Sequence, residues 1–160
     1  MVEWVCENHH RYEGTSVVTK QRLTKRRIAL LQIERSVDLL TNHNDPVCAL
    51  TLAGAAEEIL GRIAAARGHV PVVEDGTEYL GSVYDYIGKP RPPKKKLIEA
   101  HNRIRNALKH NDDGKNVRVA ADFLFEAEEM LLRAIKNYFN AFGCLPSSKP
   151  VRGWFEWITL

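Results

Sequence analysis

Between Leu97 and His110 the chain reads Leu-Ile-Glu-Ala-His-Asn-Arg-Ile-Arg-Asn-Ala-Leu-Lys-His, and Arg105, Asn106 and His110 are the residues whose types and spacing best fit a chemical task. A guanidinium is a permanently charged, forked donor that matches phosphate oxygens, and an imidazole exchanges a proton near neutral pH. Together they suit phosphate chemistry, for which no metal is needed. An Arg followed five residues later by a His carries little information, since this composition yields about 0.5 such pairs by chance. Requiring Asn directly after the Arg lowers the figure to about 0.03.

Geometry constrains this reading, because residues five apart on an unbroken helix lie about 140° around its axis. Arg105 and His110 therefore reach one spot only if the helix ends at the turn sequence Asn111-Asp112-Asp113-Gly114, or if a second copy completes the site. Glu57, Lys109 and His101 are the supporting candidates. Glu57 sits at the edge of an apolar face, where a carboxylate could pair with Arg105 or tune His110, whereas Glu58 lies with Arg62 on the polar side. His101 shares the apolar side of its helix with Leu97, Ile104 and Leu108, the usual place of a core histidine. The run from Lys89 to Lys96 could grip a phosphate backbone or simply be a solvated linker. His9 and His10 have no carboxylate or Cys at ligand spacing.

The segment ending in Arg105-Asn106-Ala107-Leu108-Lys109-His110 resembles the RNxxxH motif of HEPN domains, and the likeness extends to its setting, late in a helical bundle over about residues 23–142. That resemblance implies RNA as ligand and metal-independent endoribonuclease activity with Arg105, Asn106 and His110 as catalytic residues: His110 as general base or acid, Arg105 against charge developing on the phosphate, and Asn106 orienting its neighbours or binding substrate. It also implies no cofactor, and a homodimer with the motif helices facing each other. HEPN domains also include members that bind RNA or merely pair, so two other readings stay open: a non-catalytic interaction domain with a protein partner, and a nucleotide-binding regulatory domain. HEPN toxins paired with nucleotidyltransferase antitoxins commonly carry Tyr two residues after the motif His. Here that residue is Asp112, so inactivation by modifying such a Tyr is not available.

The elements that must position these residues follow from periodicity. Leu23, Leu30, Ile33, Val37 and Leu40 predict a first amphipathic helix, with Ile28, Leu31 and Leu39 as a second, opposite stripe. Asp45-Pro46 marks a helix start, and a second helix is expected from about Val47 to Arg67, stopped by Gly68. From Gly68 to Pro93 the density of Pro and Gly predicts a long connection holding at most a short helix around 78–87. A third helix is expected over 94–110 and a fourth, the spine of the core, over 117–142. The expected architecture is thus all-α, a four-helix bundle, with residues 1–22 as an extension and residues 143–160 as a tail whose aromatics dock on the body or on a second subunit.

Composition excludes several classes. Hydrophobic residues make up 44% and charged residues 27% of 160, as in one ordinary globular domain. The net charge is +3 and the pI about 8.8, with basic clusters at 20–27 and 89–96, which permits nucleic-acid contact. Cys6, Cys48 and Cys144 form neither a disulfide framework nor a zinc pattern. No apolar run approaches the ~18 residues of a membrane span, and the expectation is a cytoplasmic protein without a membrane partner.

Overall fold

The computed structural model describes residues 20–110 and 118–159, and these form seven helices and no strand. The extension with Cys6, His9 and His10, apart from residues 20–22, and the turn at 111–114 lie outside the described residues.

α1 (Lys25–Asn42) starts at Thr24, whose hydroxyl accepts from the Arg27 N–H at 3.1 Å. Its core face carries Ala29, Ile33, Ser36 and Val37. The second stripe is not a free face, because Leu39 is buried as well and only Leu31 stands exposed. Asn44, in the left-handed region at φ 48°, then turns the chain, a conformation that Asn tolerates better than most residues.

α2 (Pro46–Ala66) opens as expected on Pro46, with the Asp45 carboxylate accepting from the Cys48 N–H at 3.0 Å. That hydrogen bond holds the Asp45 carboxyl below its usual range. A depressed folded-state pKa means that the cap stabilises the fold above the ordinary carboxylate value and fades as pH falls through the lower, folded one. Asp45→Asn is therefore expected to melt below wild type at pH 7, with the gap closing as melts are taken toward pH 3. A gap constant with pH would remove the charged cap from the account.

α2 packs along α6 (Phe123–Phe142), and α1 lies against both. Leu50, Ala53, Ala56 and Leu60 of α2 meet Met130, Leu131, Ala134, Ile135 and Tyr138 of α6 in one core. Small residues on α2 bring the two backbones close, and the Ser36 hydroxyl satisfies the Ala49 carbonyl at 2.9 Å inside the α1–α2 contact. α6 begins later than periodicity suggests, because Asp122 caps it by accepting from the Phe125 N–H at 3.1 Å and leaves 118–122 outside the helix. It ends at Gly143, in the left-handed conformation at φ 69°.

Three differences from the four-helix expectation remain. The Pro/Gly-rich connection contains α3 (Val72–Tyr86), a full helix with Gly76 and Gly81 in its interior. Both glycines are used for close approach: a Cβ on Gly76 would stand 3.3 Å from His101 Nε2, and one on Gly81 would stand 2.9 Å from the Arg91 guanidinium carbon. The expected third helix is two, α4 (Lys94–His101) and α5 (Arg103–Lys109), broken at Asn102. The aromatic tail forms α7 (Lys149–Thr159), which docks on α1 through Val151 and Trp154 and leaves Trp157 exposed. No helix among the described residues is long and apolar enough to cross a membrane.

Candidate functional site

The site is organised around one buried carboxylate. Glu57 lies within the apolar face of α2, not merely at its edge, and is 3% exposed. Such a charge requires partners. Arg105 of α5 supplies Nη1 at 3.3 Å from Oε2, and Arg133 of α6 supplies Nη2 at 3.0 Å from Oε1. Two guanidiniums against one carboxylate leave a unit of positive charge in a place largely shielded from water.

Arg133 also explains the break between α4 and α5. Its Nη1 donates to the His101 carbonyl at 3.4 Å and its Nη2 to the Asn102 side-chain carbonyl at 3.0 Å, drawing the backbone at this point toward α6. Asn102 is itself buried, at φ −104° and ψ 7°, outside regular helix geometry. The neighbouring buried amide, Asn137 of α6, accepts from the Val72 N–H at 2.9 Å and donates to the Glu57 backbone carbonyl at 3.4 Å. It thereby satisfies the first orphan N–H of α3 and joins α2, α3 and α6 behind the site.

Arg105 reaches Glu57 across Gly54. A Cβ on Gly54 would fall 2.6 Å from Arg105 Cδ and 2.9 Å from Cγ, so the arginine lies in the space that a side chain would fill. Asn106 Oδ1 accepts from Arg105 Nε at 3.4 Å and Nη2 at 3.3 Å, two long bonds that orient the guanidinium plane. Of the five N–H groups of Arg105, three are thus engaged, and one on each terminal nitrogen has no acceptor among the described residues. A cleft of about 340 Å³ opens here, lined by Glu57, Asn102 and Arg105 together with Pro71, Val73 and Glu74. Because the clash at Gly54 is with the middle of a side chain tethered at its far end, Gly54→Ala is expected to dislodge Arg105. Overpacking of this kind costs about 1–3 kcal/mol against at most about 1 kcal/mol gained in helix propensity, and Glu57 loses a partner besides, so a net loss is expected in thermal or urea unfolding. An unchanged Glu57–Arg105 pair in a crystal structure of that variant would disprove the argument.

His110 is not part of this network. It is the exposed C-cap of α5, its backbone N–H donating to the Asn106 carbonyl at 3.0 Å while its own φ of −118° and ψ of 132° are extended. The chain leaves the helical path at His110, the last residue whose N–H makes the helical hydrogen bond. Lys109 Nζ stands 4.0 Å from Glu58 Oε2, on the outer side of α2. The ring of His101 packs beside Gly76, with Nε2 buried and unpartnered among the described residues, so what His101 gives the network is its carbonyl.

Arg105, Asn106 and Glu57 are thus brought together, while His110 and Lys109 lie at the end of the same helix. The participants that sequence reasoning missed are Arg133, Asn102, Asn137 and Gly54. The signal for two of them was present, since Arg133 and Asn137 interrupt the apolar stripe of α6 between Met130 and Tyr138, where a polar residue needs a buried partner. The chain matches no family model, no curated protein and no solved structure.

Proposed function

We propose that this chain is an HEPN-like RNA-binding domain that cleaves phosphodiester bonds without a metal, with His110 moving the proton and Arg105 binding the phosphate. The observation that carries the reading is the departure of His110 from the helix at its C-cap, five residues after an arginine that Glu57 and Asn106 hold in position beside a cleft. His110 would accept the proton of a ribose 2′-hydroxyl as that oxygen attacks the adjacent phosphorus, or return one to the departing 5′-oxygen, leaving a 2′,3′-cyclic phosphate. Arg105, in a region of net positive charge, would stabilise the phosphorane oxygens. Asn106 sets the plane of the guanidinium, and Glu57 with Arg133 fixes its position. A homodimer that places two such helix ends together would supply both chemical groups to one cleft.

The deciding experiment incubates a mixed structured and single-stranded RNA pool, in EDTA, with wild type and with His110→Ala purified side by side. Cleavage by wild type alone, with cyclic phosphate ends, supports the reading, whereas equal cleavage by both or by neither overturns it. A second reading, a non-catalytic interaction domain, is favoured by one feature: Leu124, Phe125 and Trp157 are all exposed, at 48%, 58% and 68%. Leu124 and Trp157 line one groove, and clustered exposed apolar side chains of this kind are common at protein–protein contacts.

A further inference from the structure

The outer face of α2 holds a second, larger concavity of about 720 Å³, separate from the cleft at Arg105 and divided from it by the Glu58–Arg62 ion pair, whose residues line both. Its floor is Ile59 and Ile63, half-buried and one helical turn apart. Its rim is cationic on every side: Lys25 from the start of α1, Arg62 and Arg67 from α2, and Lys109 from the end of α5. The one acidic residue lining it, Glu58, is already engaged, 2.8 Å from Arg62 and 4.0 Å from Lys109. Arg67 is held by stacking on Phe142, its guanidinium carbon 4.6 Å from the ring centroid, and by donating to the Ala141 carbonyl. Arg26 of α1 stacks on the same Phe142 ring, at 4.3 Å.

We infer that this groove binds an unpaired segment of a nucleic-acid single strand, one base lying on Ile59 and Ile63 and the flanking phosphates meeting Lys25, Arg62 and Lys109. Two features select this occupant. A floor one turn long, about 6 Å, matches the flat face of a base, whereas an amphipathic helix of a partner needs apolar anchors over two or three turns. Cations on both flanks of that floor match a chain that carries a phosphate on each side of every base. A duplex keeps its bases stacked inside and offers none to the floor. Lys109 precedes His110, so a strand in this groove runs up to the proposed catalytic histidine; in this the inference rests on the reading given above, and it names where the strand lies.

The test uses the full chain carrying His110→Ala, so that the probe stays intact, and follows the anisotropy of a labelled ten-nucleotide single-stranded RNA and of the same strand in a duplex. Binding of the single strand is expected to exceed that of the duplex. Lys25→Glu with Arg62→Gln, both exposed residues, should weaken it at least tenfold and make the plot of log K against log salt shallower by about 1.4, since each phosphate contact on a single strand contributes about 0.7. A charge-matched control on α7, Lys149→Glu with Arg152→Gln, should bind as the parent does. Ile63→Ser should weaken the single strand without altering the salt slope. Equal losses in the control, no loss in the groove variant, equal binding of duplex, or binding only of an acidic amphipathic peptide would each overturn the inference. Groove variants that bind normally while wild type cleaves and His110→Ala does not would remove the groove and leave the catalytic reading. A groove that binds RNA in a protein with no cleavage would do the reverse.

Discussion

Glu57→Ala is expected to destabilise the protein by about 3–5 kcal/mol, the largest stability loss of any single substitution at the site. The reason is not the strength of the ion pairs but what their loss would leave behind. Arg105 and Arg133 have side chains only 12% exposed, and their guanidiniums face each other's surroundings across a carboxylate that is 4% exposed. Removing the anion leaves two cations in a poorly hydrated interior, and an uncompensated buried charge costs about 3–5 kcal/mol. For a chain of this length each kcal/mol is worth about 2–4 °C, so the melting temperature should fall by roughly 6–20 °C. The same principle makes a second, less intuitive prediction inside the first. Replacing all three charged residues together, Glu57→Leu with Arg105→Met and Arg133→Met, should recover most of the loss, because well-packed apolar groups of similar volume commonly replace buried ion triads at little cost. Thermal and urea unfolding of the two proteins decide it. A Glu57→Ala melt within about 2 °C of wild type would show that water reaches the arginines and that the triad does not organise the site.

That recovery would come with loss of function on the proposed reading, which indicates why a charged triad sits where an apolar cluster would fold as well. On that reading Arg105 presents its guanidinium to the cleft, and a flexible side chain on a seven-residue helix does not hold that position by itself. Glu57 from α2, Arg133 from α6 and Asn106 from α5 itself each remove one freedom from it, and the missing side chain at Gly54 provides the space.

How much of this was legible in the sequence varies with the range of the interactions. The paired long helices α2 and α6 follow from apolar residues at three- and four-residue spacing, and the caps at Asp45 and Gly143 are local signals that sequence carries directly. The candidate triplet Arg105, Asn106 and His110 stood out as a short motif on one element, of which the structure joins only Arg105 and Asn106 to the buried network, and Glu57 could be placed at the edge of the apolar face from its neighbours, though not inside it. The break at Asn102 was not, because Leu97, Ile104 and Leu108 keep helical spacing straight through it. What interrupts the helix is Arg133, thirty residues away, and no local pattern on α4 or α5 reports it. α3 was hidden for a different reason: Gly76 and Gly81 lower helix propensity and read as loop, whereas both serve to let His101 and Arg91 approach. In each case a long-range contact overrode a local preference.

On the catalytic reading, His110→Ala should reduce RNA cleavage by about 10²–10⁴-fold, the range that a positioned general acid or base supplies, with no measurable change in melting temperature. The pairing of those two results gives the substitution its force. His110 is exposed and lies at the helix end, where its side chain contributes nothing to the buried network, so its loss is expected to report on chemistry alone. Arg105→Ala would be a poorer probe, since it also strips Glu57 of one partner and should lower the melting temperature. The informative comparison is therefore Arg105→Lys beside His110→Ala. A lysine can keep a charge near Glu57 but cannot present the forked donor, so it should retain more stability than Arg105→Ala while losing most of the cleavage. Product-end analysis and single-turnover rates on a defined RNA read both. Full cleavage by His110→Ala would remove the histidine from the mechanism, and with it the significance of the helix ending where it does.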